Sequence, residues 1–149
     1  MVKIDINNDN TTLTTKHDGE HGSLPGVLRD GEWDKLWTNQ GPETWIIADF
    51  GEKPRTFAGI GIRSANDDPP EDPKTVVISV PKEVGSDEWR EVATVKPEFD
   101  GRRRHLVKFV IPETTTKKMK FDFSNGDTSY GQRIIQVGGL AFFEKKSSD

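Results

Sequence analysis

The chain has 149 residues, a length typical of one domain and sufficient to bury a hydrophobic core without disulfides. Only 32% of the residues are hydrophobic and 31% are charged, so the core must be built from short, well-placed apolar segments. The net charge is −4, with basic and acidic residues interspersed, which argues against a nucleic-acid partner. The chain has no cysteine, which excludes a disulfide, a thiolate nucleophile or a zinc–thiolate site.

Short β-type segments recur along the chain and are separated by turn signals such as Asp100-Gly101. The predicted strands are 2–6, 11–15, 45–50, 57–63, 75–80, 90–95, 105–111, 118–123 and 134–143. This spacing is typical of an antiparallel sandwich or barrel. A single helical turn is the most that 24–36 could hold. The sequence therefore predicts one all-β domain over 1–149, with its core in 2–144 and a solvated tail at 145–149.

The apolar pattern within the strands predicts which side chains form the core. Met119, Phe121 and Phe123 alternate with charged residues, as expected of a strand with one buried face. The strand at 105–111 has no strict period, which indicates a bulge or burial on both faces. Bulky residues dominate small sandwich cores, so four more side chains are predicted to be buried: Trp37, Trp45, Ile47 and Phe50. The pattern does not decide between core and surface for Trp89.

Three segments carry, in order, a recognisable family pattern. The first, 28–51, has a DG turn, a Trp six residues after the Gly and a W-I-I-A-D-F-G strand. The second, 60–74, contains S-A-N-D-D-P and D-P-K. The third is 135–143. Together they resemble the discoidin, or coagulation factor 5/8 type C, superfamily, whose galactose-binding-like members include family 32 carbohydrate-binding modules. The resemblance covers roughly 24–144. It implies a discoidin-like jelly-roll β-sandwich with antiparallel sheets.

The resemblance also implies a calcium site formed by the DG turn and the last strand. It assigns the carboxylate of Asp30 to a ligand position, and Glu32 and Asp34 offer further carboxylates nearby. Two oxygen donors common in the family are missing, because Lys35 replaces a threonine and Phe142 replaces a glutamate. Calcium takes six to eight oxygen ligands. The sequence therefore favours an empty site, or one in which the Lys35 ammonium supplies the positive charge, and leaves calcium binding as an alternative.

In carbohydrate-binding relatives, a sugar is held at the loop end of the sandwich by an arginine, polar groups and an aromatic face. Sugar hydroxyls need planar hydrogen-bonding partners, and the C–H face of the ring needs an apolar plate. The side chains that could supply this mixture are Arg63, Asn39, Gln40, Asn66, Asp67, Tyr130 and Trp33. Structural roles are the alternatives: Arg63 or Asp72 in an ion pair or turn, Trp33 packed on the Asp30 turn, and Tyr130 in a solvated hairpin.

The remaining charged and titratable motifs give no catalytic signal. The run Arg102-Arg103-Arg104-His105 is predicted to be a solvated turn, with contact to an acidic partner as the alternative. The three histidines, His17, His21 and His105, lack the spacing of a metal site, and no nucleophile or phosphate motif occurs. We therefore do not expect an enzyme.

Two functions fit these observations. The first is a carbohydrate-binding module that recognises a glycan terminus and belongs to a larger chain. The alternative is a protein-interaction or adaptor domain of the same fold in an intracellular complex. The alternative is favoured by the lack of an apolar signal-peptide run and of a clear aromatic platform beside Arg63. The sequence has no run of eighteen apolar residues that would predict a transmembrane segment, and it leaves the cellular compartment undetermined.

Overall fold

A computed structural model describes residues 2–3, 11–15, 37–40, 43–65, 72–124 and 134–145, with the side chains of 2, 37–40 and 134 left out. These residues form eleven strands and no helix. The strands are β1 (Val2–Lys3), β2 (Thr12–Thr15), β3 (Trp37–Gln40), β4 (Glu43–Asp49), β5 (Arg55–Arg63), β6 (Thr75–Pro81), β7 (Trp89–Val95), β8 (Leu106–Thr116), β9 (Lys118–Ser124), β10 (Ile134–Val137) and β11 (Gly139–Glu144). Within these ranges, no helix is long and apolar enough to cross a bilayer.

The strands form two principal antiparallel sheets. One has four strands in the order β1-β11-β5-β8, and the other has five in the order β2-β4-β9-β6-β7. A separate pair, β10-β3, is also antiparallel. Most neighbours are distant in sequence, so long-range register rather than local hairpins positions the strands. The predicted all-β antiparallel architecture is confirmed.

The core lies between the two large sheets and is rich in phenylalanine. Met119, Phe121 and Phe123 of β9 are buried on one side, as their alternation predicts. Phe142 of β11 meets Phe121 edge-on across the core, with ring centroids 5.7 Å apart. Phe142 also contacts Phe50 at 5.2 Å and Phe57 at 5.7 Å. Tilted and edge-on aromatic pairs of this kind add to the stabilisation from area burial.

The prediction that Trp45 and Ile47 belong to the core was wrong. In β4 the inward residues are Thr44, Ile46 and Ala48, which are buried, while Trp45 and Ile47 are partly exposed on the opposite face. The W-I-I run has apolar side chains of both parities, so its alternation alone does not choose a face. The pairing of β4 with β9 decides which of its faces is buried. Phe50 is buried as predicted, and the side chain of Trp37 lies outside the described residues.

The largest differences from the predicted strands are three. The polar strand β3 was missed, since its W-T-N-Q sequence has little β-type character. β8 continues beyond Ile111 to Thr116, and its pairing with β5 shifts between Phe57 and Gly59, which confirms an irregularity there. The closing segment splits into β10 and β11 at Gly138. The helical turn considered for 24–36 lies outside the described residues.

Phe142 offers a direct test of the core. We expect Phe142→Ala to lower the free energy of unfolding by about 3–5 kcal/mol, because it leaves a cavity among three other phenylalanines. Urea denaturation of the two proteins measures the difference. Val110→Ala is the control, since Val110 is 80% exposed, and it should change stability by no more than about 0.5 kcal/mol. Equal effects of the two substitutions would contradict the assigned core.

Candidate ligand-binding site at the loop end

Several strand ends meet at one end of the sandwich. In the four-stranded sheet, β5 ends at Arg63 where β8 begins at Leu106 and β11 begins at Gly139. In the other sheet, β6 begins at Thr75 where β9 ends at Ser124. We call this the loop end and define it by the described residues 63–65, 72–74 and 96–105. Loops presented by a rigid sheet are common locations for binding residues.

Arg63 is the last residue of β5 and lies on the outer side of its sheet. Its neighbours in sequence, Ile60 and Ile62, point into the core, so the alternation of the strand directs Arg63 away from it. The carbonyl of Arg63 accepts a hydrogen bond from the N–H of Gly138, at 2.9 Å. The Arg63 side chain is partly exposed.

Gly138 permits a close crossing of two backbones beside Arg63. A Cβ atom at position 138 would lie 2.3 Å from the carbonyl oxygen of Ser64, a separation that no side chain tolerates. Glycine is needed here for close approach rather than for an unusual backbone angle. This crossing also explains why the predicted strand 134–143 is interrupted at residue 138.

Ser64 joins the end of β5 to the turn before β8. Its buried hydroxyl donates to the carbonyl of Arg102 at 2.8 Å and accepts from the N–H of His105 at 2.9 Å. The N–H of Ser64 also donates to the carbonyl of His105 at 3.0 Å. Sequence reasoning missed this role, because the partners are separated by 38 residues or more and no local pattern joins them. The contacts leave the backbone next to Arg63 little freedom to move.

Asp72 and Arg103 form an ion pair across the loop end. Nη1 of Arg103 donates to Oδ1 of Asp72 at 2.9 Å, and Nη2 donates to Oδ2, so the contact is bidentate. Nη1 also lies 3.3 Å from the carbonyl of Ala65. The side chains are only 11% and 23% exposed, respectively. The prediction of a solvated turn was therefore wrong for Arg103, while the alternative of a structural ion pair is confirmed for Asp72.

Two features of its environment have opposite effects on the pKa of the Asp72 carboxyl. Burial raises the pKa of the Asp72 carboxyl above its ordinary value, whereas the hydrogen bond and the charge of Arg103 act to lower it. A carboxylate in this position depends on its cation, because an unpaired charge in a poorly solvated site is costly. Arg103 thus has a structural role, and it is not available as a freely solvated cation.

The turn that carries Arg103 has three residues in the left-handed region. Gly101 has φ 74°, and the non-glycine residues Asp100 and Arg104 have φ 54° and 55°. Such angles cost a non-glycine residue free energy and persist where surrounding contacts impose them. The N–H of Arg104 donates to the carbonyl of Ala65 at 3.3 Å, and that of Arg102 to the carbonyl of Phe99 at 2.9 Å. The turn is therefore held against the end of β5.

Two of the predicted ligand residues lie in a described strand. Asn39 and Gln40 belong to β3 and pair with Ile135 and Ile134 of β10, respectively. Only the backbone of β3 is described. The other candidates lie outside the described residues: Asn66, Asp67, Tyr130 and Trp33. Their roles remain predictions, although Ala65 and Asp72, which flank 66–71, both belong to the loop end.

The described residues do not provide a calcium site. Phe142, for which the family resemblance implies a glutamate, points into the aromatic core and has no exposed surface. No group of three or more His, Cys, Asp or Glu side chains capable of holding a metal ion occurs among the residues that the structure describes. Asp30, Glu32, Asp34 and Lys35 lie outside those residues, so the substitution by Lys35 stays a prediction.

Calcium binding has a simple thermodynamic test. We expect millimolar calcium added to chelator-treated protein to leave the unfolding temperature unchanged in calorimetry. An ion present at a hundred times its Kd would stabilise the fold by about 2.7 kcal/mol, which calorimetry resolves easily. A rise in unfolding temperature that Asp30→Asn abolishes would overturn this expectation and identify the DG turn as the site.

The ion pair can be tested with a double-mutant cycle. We expect Arg103→Gln to lower the free energy of unfolding by about 2 kcal/mol, because it leaves the Asp72 carboxylate without its cation. Adding Asp72→Asn should recover part of that loss, since no uncompensated charge remains. Lys82→Gln is the control, because its pair with Glu88 is exposed and should contribute no more than about 1 kcal/mol. Purely additive effects at positions 72 and 103 would contradict the pairing.

Comparison with solved structures identifies the fold. An F5/8 type C domain from Bacteroides fragilis superposes with a TM-score of 0.77 and 16% identity, over 98% of this chain and 97% of that one. A family 32 carbohydrate-binding module from Clostridium perfringens, in complex with GalNAc-β-1,3-galactose, has a TM-score of 0.71 and 12% identity, over 95% and 99%. Another from C. perfringens, in complex with galactose, has a TM-score of 0.70 and 11% identity, over 95% and 97%.

At the level of sequence, no family model matches the chain, and no curated protein matches it. The structural matches cover nearly the whole chain, and they agree with the resemblance seen in its motifs. Identities this low define the fold and not the ligand. The chain is a discoidin-like β-sandwich with the fold of F5/8 type C domains and family 32 carbohydrate-binding modules.

Proposed function

We propose that this chain is a non-catalytic carbohydrate-binding module that recognises a glycan terminus at the loop end. Two similar structures hold galactose or a GalNAc-galactose disaccharide, which makes a sugar the first ligand class to consider. The proposal includes attachment to a larger chain, in which this domain would supply binding and another domain the activity.

The observation that carries the proposal is the constrained backbone beneath Arg63. Gly138 crosses directly over the Ser64 backbone, and the Ser64 hydroxyl is hydrogen-bonded on both sides. A guanidinium has a planar set of donors suited to paired sugar oxygens. A rigid support reduces the entropy lost when such a group is ordered by a weak ligand. Arg63 therefore combines suitable donors with a backbone that is held in place, two properties that favour a sugar contact.

The remaining contacts are proposed from the sequence. Asn39, Gln40, Asn66 and Asp67 would supply amide and carboxylate partners for hydroxyl groups. An aromatic side chain would cover the C–H face of the sugar ring, for which Tyr130 and Trp33 are the candidates. Among the residues that the structure describes, no contact specifically favours the alternative of an adaptor domain.

Glycan-array binding with two arginine variants tests this function. We expect the wild type to bind galactose-terminated or related glycans and Arg63→Ala to bind about tenfold to a hundredfold more weakly, the loss of one charged hydrogen-bonding group. Arg55→Ala is the matched control, because Arg55 is the same residue type at the opposite end of the same strand, β5. It should bind like the wild type.

The outcomes separate the two functions. If the wild type binds no glycan, the carbohydrate-binding proposal fails and a protein partner becomes the working hypothesis. If glycan binding is equally strong in both variants, the ligand is a sugar but Arg63 does not contact it. Thermal unfolding of each variant shows whether a loss of binding reflects loss of the fold.

A further inference from the structure

A second surface with the chemistry of a ligand site lies on the outer face of the five-stranded sheet, away from the core. Its centre is Lys120 of β9, whose ammonium lies 5.7 Å from the ring centroid of Trp45 and 5.5 Å from that of Trp89. Asp122, two residues along the same strand, lies 3.9 Å from that ammonium. We call these four residues the tryptophan face.

Strand register assembles the tryptophan face from three strands. Trp45 of β4 is directly opposite Asp122, and Lys120 is directly opposite Ser79 of β6. Trp89 begins β7 opposite Pro81, next to Ser79 in the same alternation. Core residues alternate with Trp45 in β4 and with Lys120 and Asp122 in β9, so these side chains point outward. The contact of Trp89 with the Lys120 ammonium places its ring on the same face. They meet only because β9 lies between β4 and β6 in the sheet.

Packing in the core does not explain the two tryptophans, because both lie on the outer face of the sheet. Trp45 and Trp89 are both partly exposed, and the neighbouring outward residues Ile47 and Val77 are partly exposed as well. The outer face of a solvated antiparallel sheet is ordinarily polar. Two indole rings on such a face leave apolar area in water, which is a common property of binding surfaces.

The charges of this face are balanced. The Lys120 ammonium has Asp122 of its own strand at 3.9 Å, and nearby Lys118 of β9 has Asp49 of β4 at 3.9 Å. The side chains of Lys120 and Asp122 are 22% and 42% exposed, so both can reach a ligand. A balanced pair of donor and acceptor between two apolar plates suits an uncharged ligand that has hydroxyl groups and C–H faces, and it gives no advantage to an anion.

We propose that the tryptophan face is a second carbohydrate-binding surface, separate from the loop end, and that it takes an uncharged glycan chain lying across β4, β9, β6 and β7. The indole rings of Trp45 and Trp89 contact C–H faces of sugar units, and Lys120 and Asp122 hydrogen-bond hydroxyl groups between them. This inference rests on the proposed function for its ligand class. It adds that a polysaccharide can engage one domain at two places, which raises affinity through effective concentration.

Affinity electrophoresis tests this inference. Each gel contains one soluble uncharged polysaccharide, which is a galactan, a mannan or a xylan, and an alginate gel provides the anionic comparison. The proteins are the wild type, Trp45→Ala, Trp89→Ala and Arg63→Ala. Val110→Ala, an exposed apolar position on the outer face of the other sheet, is the control. We expect at least one uncharged polysaccharide to retard the wild type and each tryptophan variant to bind it about tenfold more weakly. Galactose affinity should be unchanged in both tryptophan variants.

The results distinguish this inference from the loop-end proposal. Retardation that depends on Trp45 and Trp89 but not on Arg63 supports the tryptophan face and contradicts engagement of the polysaccharide at the loop end, while the glycan array still decides whether Arg63 binds a glycan terminus. Retardation that depends on Arg63 and is unchanged in both tryptophan variants overturns the tryptophan face and leaves the proposed function intact. If no gel retards the wild type, or if only alginate does, the tryptophan face as proposed is wrong.

A measurement on the unaltered protein covers the case in which a tryptophan variant does not fold. Oxidative footprinting of the wild type, with and without the polysaccharide that retards it, should show that binding slows the oxidation of both Trp45 and Trp89. Unchanged oxidation of both tryptophans in the saturated complex would overturn the inference.

Discussion

The register that aligns β4, β9 and β6 is the constraint on which the rest of this sandwich depends. It puts Ile46 opposite Phe121 and Phe121 opposite Ile78, so three strands bury matching side chains against β5 and β11. Because side chains alternate along a strand, a slip of one residue would bury Trp45 and Lys120 and expose Phe121. The same pairing therefore builds both the core and the outer tryptophan face.

The loop end is stabilised differently, by polar contacts between segments far apart in the chain. The bidentate pair of Asp72 and Arg103, the two hydrogen bonds of the Ser64 hydroxyl and the close crossing at Gly138 hold the end of β5 against the turn before β8. Each group is largely buried, and a buried polar group is costly when it is unpaired. These contacts hold in place the backbone that carries Arg63.

The two surfaces have complementary chemistry. In the proposed function, Arg63 would offer a charged planar group at the loop end to the terminus of a glycan chain. The tryptophan face presents apolar plates and a balanced ion pair along the flat side of a sheet, where an extended chain can lie. A domain with both would hold a polysaccharide more firmly than either surface alone, without a deep pocket.

The sequence by itself determined the all-β class, most strand positions, the burial of Met119, Phe121 and Phe123, and the resemblance to discoidin-like domains. These features depend on local alternation and on short motifs, which a single strand carries whether or not it is paired. It did not determine the outward direction of Trp45 and Ile47, the pairing of Asp72 with Arg103 or the role of Ser64. Those features depend on contacts between residues that are 30 or more positions apart in the chain. Only the tertiary structure decides which of two equally apolar strand faces meets the core, and which distant group pairs with a buried charge.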